Sequence, residues 1–223
     1  QVNAGNSAFD NKLYCYTNPT IKIENWGLSG QLDYEFGPAT LTSITAYRET
    51  KLRSRFDIDF TSADLLNGAN VGRMDLKTFT QELRLSANFV DRVNLLVGAF
   101  YFNAKVDQGG DLAWGARARP FADALVRGLS NNTQNILALE GLFGTLQGNP
   151  ALYTGTNRFF LEGQGLVEAE TMKDENFSIF SQVDFKIADR LTLTGGINYT
   201  KDKKRYTLGL TSNTDVFAGL NLN

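Results

Sequence analysis

Residues 176–200, NFSIFSQVDFKIADRLTLTGGINYT, decide the fold. Phe177, Ile179, Ser181, Val183, Phe185 and Ile187 fall on one side of a first arm, against Asn176, Ser178, Phe180, Gln182, Asp184 and Lys186. After Ala188-Asp189-Arg190, Leu191, Leu193, Gly195, Ile197 and Tyr199 oppose Thr192, Thr194, Gly196, Asn198 and Thr200. Alternation with a period of two is the signature of a β-strand. Each arm runs about ten residues, the length a tilted strand needs to cross the hydrocarbon of a bilayer, whereas ordinary strands run about five or six. The stretch therefore predicts a hairpin with one face for lipid.

Similar arms recur upstream. Trp26, Leu28, Gly30, Leu32, Tyr34 and Phe36 alternate with Asn25, Gly27, Ser29, Gln31, Asp33 and Glu35, and Gly37-Pro38 turns the chain into an arm from Thr40 to about Phe60. Leu76 to Ala87 sets Phe79, Gln81, Leu83 and Leu85 against Thr78, Thr80, Glu82, Arg84 and Ser86. A turn from Asn88 to Arg92 then leads into Val93–Asn103. In the arms from Thr40 and Val93 both faces carry apolar groups, Ile44 and Ala46 in one and Leu96, Phe100 and Phe102 in the other, which leaves their facing open. The pattern predicts about six strands.

Connection lengths alternate. The turns near Gly37, Asp91 and Asp189 are short; the links from about Asp57 to Gly72 and over 104–175 are long. Outer-membrane barrels have short periplasmic turns and long extracellular loops, so the long links are expected outside. In the second link Phe121, Leu125 and Leu129 follow Pro120 at helical spacing, and Ile136, Leu139, Phe143 and Leu146 precede Gly148-Asn149-Pro150. Two short helices are expected there, in a loop folded over its own small core or in a lid over a lumen.

Composition narrows the function. The 223 residues are 42% hydrophobic and carry a formal net charge of -2, which supplies no field that would select nucleic acid. No run of about 18 apolar residues marks a transmembrane helix, and the chain from Gln1 does not read as a signal peptide. A mature form or a piece of one is therefore expected. With no histidine, the commonest general base and metal ligand is missing; the single Cys15 forms neither an internal disulfide nor a thiolate cluster. No phosphate-binding glycine loop is present, and the expectation is no enzyme, no cofactor and no metal site. Asp57, Asp59, Asp107 and Asp111 could offer oxygens to Ca²⁺, but their spacing does not match the calcium loop and they read as solvated acids.

A long alternating sheet faces either water and a protein core, or lipid and a polar lumen. Trp26, Phe36, Phe177, Phe185 and Tyr199, near arm ends on the apolar face, suit the aromatic girdles of a barrel. The segments Leu41–Arg48 (LTSITAYR), Phe79–Ser86 (FTQELRLS) with Val97–Phe102 (VGAFYF), and Phe177–Asp184 (FSIFSQVD) followed by Asp189–Thr200 (DRLTLTGGINYT) resemble barrel segments of TonB-dependent outer-membrane receptors, in that family's order. The resemblance implies a plugged barrel of about 22 strands that imports a scarce nutrient, such as an iron chelate, cobalamin or a saccharide, with energy delivered through TonB. It implies a bacterial outer membrane as the location.

About six strands cannot close such a barrel. Residues 1–223 are thus expected to be part of the barrel domain, all-β and antiparallel, without the plug domain that would meet TonB. Two sets of residues are candidates for contact. Lys201, Lys203, Lys204 and Arg205 form a basic run at the outer end of the last strand, a solvated strand end or a contact for lipopolysaccharide phosphates. Asp33, Glu35, Glu82, Arg84, Asp184 and Lys186 are expected to face the lumen, bonding a plug or one another. Two alternatives share these patterns: a passive porin-type barrel, and a soluble all-β saccharide-binding module using Tyr14, Tyr16, Trp114 and Tyr153.

Overall fold

In the computed structural model residues 15–89 and 92–213 are described, the side chains of 69–71 excepted. Tyr14, a candidate saccharide-stacking aromatic, and Asp91, expected in a turn, lie outside them. Six strands, β1 (Thr20–Phe36), β2 (Ala39–Asp57), β3 (Leu66–Phe89), β4 (Val93–Trp114), β5 (Gly165–Ala188) and β6 (Leu191–Ser212), form one sheet in sequence order, each antiparallel to its neighbours. The described residues are all-β with two short helices, α1 (Ala118–Leu129) and α2 (Ile136–Leu146). Among the described residues β1 and β6 are the edge strands of the sheet.

The strands are 17 to 24 residues long, about twice the expected arms. β3 begins at Leu66 rather than Leu76, β4 runs past Asn103 to Trp114, and β5 begins at Gly165. The two long links shrink accordingly, from Asp57–Gly72 to 58–65 and from 104–175 to 115–164. Apolar alternation stops near Phe79, Tyr101 and Phe177, but main-chain pairing does not, because each strand keeps bonding its neighbours regardless of side-chain polarity.

Register settles the facing, since residues directly paired in an antiparallel sheet share a face. Tyr34, Leu41, Leu85, Val97, Ser181 and Ile197 form one continuous row, and Leu32, Ser43, Leu83, Ala99, Ile179 and Tyr199 the next. In β2 and β4, where the pattern was ambiguous, Leu41, Tyr47, Val97 and Tyr101 thus join the apolar face; Ile44, Ala46, Leu96, Phe100 and Phe102 lie on the polar one.

Among the described residues neither face carries a packed layer. The buried apolar side chains of the sheet are Ala87 and Ala104; the remainder, Ala118, Ile136, Tyr153 and Phe159, belong to the link 115–164. There Ile136, Tyr153 and Phe159 form a small core with Ala122, Phe143, Leu152 and Phe160 against it. Asn135 Oδ1 caps α2 by accepting from Ala138 N at 2.8 Å. Arg119 clamps Glu140 through two hydrogen bonds of 2.6 and 2.9 Å, and both residues also bond the main chain of Phe159.

The links lie together at one end of the sheet. Asp64, 8% exposed, accepts from Ala116 N at 3.0 Å and Arg117 N reaches its carbonyl at 2.8 Å, tying 58–65 to the longer link. Asp59 organises the shorter link by accepting from the amides of Thr61, Leu65 and Leu66 and from the Thr61 hydroxyl. The opposite end holds the tight turns. Gly37 there has φ +60°, a left-handed conformation that disfavours any residue with a Cβ.

Candidate functional site

The apolar face is bounded on every strand by an aromatic residue, and the six aromatics form a staircase. Tyr47 is registered with Phe79, and Tyr101 with Phe177. Between these pairs the aromatic steps by one pleat: Trp26 is registered with Glu49, Phe79 with Asn103 and Phe177 with Lys201, each lying one alternation beyond Tyr47, Tyr101 and Tyr199. Two of the steps are ring contacts, Trp26–Tyr47 at 5.4 Å and Phe79–Tyr101 at 6.3 Å.

The staircase has a slope. Three steps of two residues rise roughly 20 Å along the strands while five strand spacings cover roughly 24 Å, an inclination of about 40°. The lower boundary falls in the same direction, by two such steps instead of three, through Phe36, Ala39, Phe89, Val93, Phe185 and Leu191. The band between the two boundaries spans about eight to ten residues, roughly 27–34 Å along each strand. It is uncovered: Leu28, Leu32 and Ile197 are each 76% exposed.

Four polar residues, Ser43, Thr45, Gln81 and Ser181, interrupt the band, and the first three satisfy one another. Thr45 Oγ1 donates to Gln81 Oε1 at 2.5 Å, and Gln81 Nε2 donates to Ser43 Oγ at 3.0 Å and to the Glu82 carbonyl at 3.2 Å. Beyond the staircase the same face turns polar at once, with Glu24, Glu49, Lys77, Asn103, Glu175 and Lys201 next to the aromatic on successive strands.

The expected basic run divides. Lys201, Lys203 and Arg205 share the apolar face, but Lys204, an alternation out of step, lies on the other, 3.5 Å from both Asp174 and Asp202. Register places Lys77, Lys105 and Lys173 in one row with Arg205, a grouping the sequence reading missed. The local signal was there: each of these cations stands two to six residues outward of its strand's aromatic.

Asp33, Glu35, Glu82, Arg84, Asp184 and Lys186 all lie on the polar face. They do not converge on one point. Asp33 accepts from Thr42 at 2.6 Å and Gln31 at 2.8 Å, Arg84 pairs with Glu82 at 2.5 Å, Asp184 accepts from Thr194 at 2.8 Å, and Lys186 lies 3.3 Å from Asp189. Local pairing along and between strands holds these five, in the manner of a lined wall. The same face carries Phe180, whose ring lies over Gly98; a Cβ there would stand 2.7 Å from Phe180 Cε2.

Two aromatics weighed for saccharide stacking are used in packing: Trp114 meets Phe160 edge-on at 5.0 Å, and Tyr153 is 3% exposed against Phe159 at 4.6 Å. Tyr16 stays exposed, and Cys15 is a half-buried free thiol. Among the described residues no three His, Cys, Asp or Glu side chains gather as a metal site, and no helix is long and apolar enough to cross a membrane. No family model matches the chain, and no curated protein matches it.

Proposed function

We propose that this sheet is a section of the wall of a bacterial outer-membrane β-barrel, of the kind that TonB-dependent receptors use to import a scarce nutrient. The observation that carries it is the aromatic staircase. A belt of aromatics marks the edge of hydrocarbon, so its slope against the strands is the strand tilt, and about 40° matches the 35–45° of membrane barrels. At that tilt the band spans roughly 21–26 Å along the membrane normal, close to the ~25 Å apolar band of such barrels.

The alternative of a soluble saccharide-binding module loses support from the same face. Bare Leu, Ile and Phe side chains forgo roughly 1.5–3 kcal/mol each when left in water. The band measures roughly 24 Å across by 27–34 Å along, larger than the apolar patch a monomeric soluble protein ordinarily exposes. Lipid removes that cost on the outer face, while strands supplied by the rest of the barrel would pair β1 and β6. Active import rather than passive diffusion is supported by the ordered segments of β2 to β6 that resemble TonB-dependent receptors.

Single-cysteine labelling in bilayers tests the wall. Fluorophores at Leu28→Cys, Leu83→Cys and Ile197→Cys are expected to be quenched by brominated lipid, and those at Thr42→Cys, Arg84→Cys and Asn198→Cys by aqueous iodide. Equal iodide quenching on both faces would refute it. Nutrient uptake that persists in cells lacking TonB would refute active import and leave a passive barrel.

A further inference from the structure

We propose that the polar face of β4, β5 and β6 carries a saccharide-binding track, on which the rings of Tyr206, Phe102, Phe100 and Phe180 seat the sugar rings of a neutral oligosaccharide. The proposal names the class of nutrient and rests on the reading of this face as a lumen wall.

Register builds the track. Tyr206 shares a row with Val106 and Met172; two rows inward, Phe102 is registered with Asn176 and Asp202. Phe100 follows in the next row with Ser178 and Thr200, and Phe180 in the one after with Gly98 and Asn198. The four aromatics thus succeed one another over about 27 Å of strand. In the same rows β1, β2 and β3 place no aromatic on this face. Tyr206 is 59% exposed, Phe100, Phe102 and Phe180 are half-buried, and among the described residues none of the four rings packs against another aromatic.

A hollow of about 450 Å³ opens over the middle rows, a volume in the range of small-molecule sites. Phe100 and Phe102 line it together with Asp174, Asn176, Asp202 and Lys204. These polar groups have bonding capacity left. Lys204 stands 3.5 Å from both Asp174 and Asp202, longer than the contacts that close a charged pair. Asp174 Oδ1 is buried without a donor, and among the described residues the Asn176 amide protons reach no acceptor. Arg84 and Glu82, on the same face, close on each other at 2.5 Å instead.

The chemistry selects the ligand. A sugar ring presents an apolar C–H face, which an aromatic ring covers, and a rim of hydroxyls that donate and accept at once. Carboxylate, amide and ammonium beside the rings match that rim. Two carboxylates against one ammonium disfavour an anionic iron chelate. Phe102 follows Tyr101 and Asn176 precedes Phe177, so the hollow lies behind the aromatic staircase, on the side of the sheet where the links 58–65 and 115–164 stand. A ligand arriving past those links meets the track before the paired acids and bases nearer the tight turns.

Isothermal titration of the intact protein in nanodiscs with maltohexaose, cellohexaose, xylohexaose and mannohexaose, and separately with ferric citrate and cyanocobalamin, tests the track. A hexasaccharide is expected to bind, with an affinity that salt leaves unchanged because the ligand carries no charge to screen. Phe102→Ala should weaken that binding about tenfold and Phe100→Ala with Phe102→Ala about a hundredfold, while Phe102→Tyr keeps most of it. Tyr34→Ala, an aromatic on the outer face, should bind as wild type does. Absence of hexasaccharide binding, or binding that the double variant leaves intact, overturns the track; so does binding of ferric citrate or cyanocobalamin that Phe102→Ala abolishes. If the alanine variants do not insert, Phe102→Leu and Asp202→Asn are read in the same way. A fluorophore at Asn176→Cys separates the two readings: iodide quenching without sugar binding overturns the track alone, and quenching by brominated lipid overturns the lumen wall with it.

Discussion

Thr45 Oγ1 donates to Gln81 Oε1 across the β2–β3 pair, at 2.5 Å, in the middle of an apolar face. Gln81 spends its amide protons on Ser43 and on the Glu82 carbonyl. On the proposed lipid-facing reading, polar side chains are tolerated when they are bonded to each other or to the backbone, and these three are.

Changing Thr45→Val alone leaves Gln81 Oε1 without its donor and should cost about 1–3 kcal/mol in urea unfolding from bilayers. Replacing Ser43, Thr45 and Gln81 together by Ala, Val and Leu removes donors and acceptors at once and should be neutral or stabilising. Loss of stability in the triple variant as large as the sum of the singles would show a hydrated face.

Depth should grade the cost of charge. Leu83→Arg, in the middle of the band, is expected to destabilise by about 2–4 kcal/mol, and Trp26→Arg, on the staircase, by about 0–1 kcal/mol. Equilibrium unfolding from lipid vesicles measures both; equal costs would remove the assigned depths.

Gly98 makes room for the Phe180 ring on the polar face, the Cβ of any other residue falling within 3 Å of it. Gly98→Ala is expected to destabilise by about 1–3 kcal/mol through displacement of the ring. Phe180→Ala on the Gly98→Ala background should recover part of that loss, a coupling that a double-mutant cycle detects.

Arg119→Met strips a carboxylate 3% exposed, Glu140, of its bidentate partner. Opening of the link 115–164 should become easier by about 3 kcal/mol, since a buried charge left without its partner is strongly destabilising. Hydrogen exchange should accelerate in α1 and α2 while the protection of β4 and β5 stays unchanged.

Acid should loosen the links first. Burial is the largest single influence on Asp59 and raises its pKa, but the hydrogen bonds from Thr61, Leu66 and Leu65 together outweigh it and hold the carboxyl below its usual 3.8. Asp123 is lowered by its bond to Arg127 and then by the Ile136 amide. A pKa depressed by folding gives stability that is present above the unfolded value and lost as pH falls through the folded one. Trp114 fluorescence should therefore report opening only below about pH 4, and Asp59→Asn should flatten that acid response.

Strand number, the two-faced hairpin 176–200, the tight turns near Gly37 and Asp189 and both helices were legible in the sequence, because alternation and helical spacing are local properties of neighbouring residues. The strand ends were not: charges beyond Tyr101 and Phe177 broke the apolar pattern while main-chain pairing continued. The candidate lumen residues were placed on one face by parity within each strand, yet their partners, such as Thr42 for Asp33 and Thr194 for Asp184, come from neighbouring strands.

By itself, then, the sequence determined which residues alternate, and so which pairs of faces the sheet has to offer. Only the tertiary structure decided how those faces join. Register couples residues far apart in the chain, and one step of register moves a side chain by a whole pleat. That coupling turned the isolated aromatics from Trp26 to Tyr199 into one inclined belt, set Lys77, Lys105 and Lys173 beside Arg205, and sent Lys204 to the opposite face.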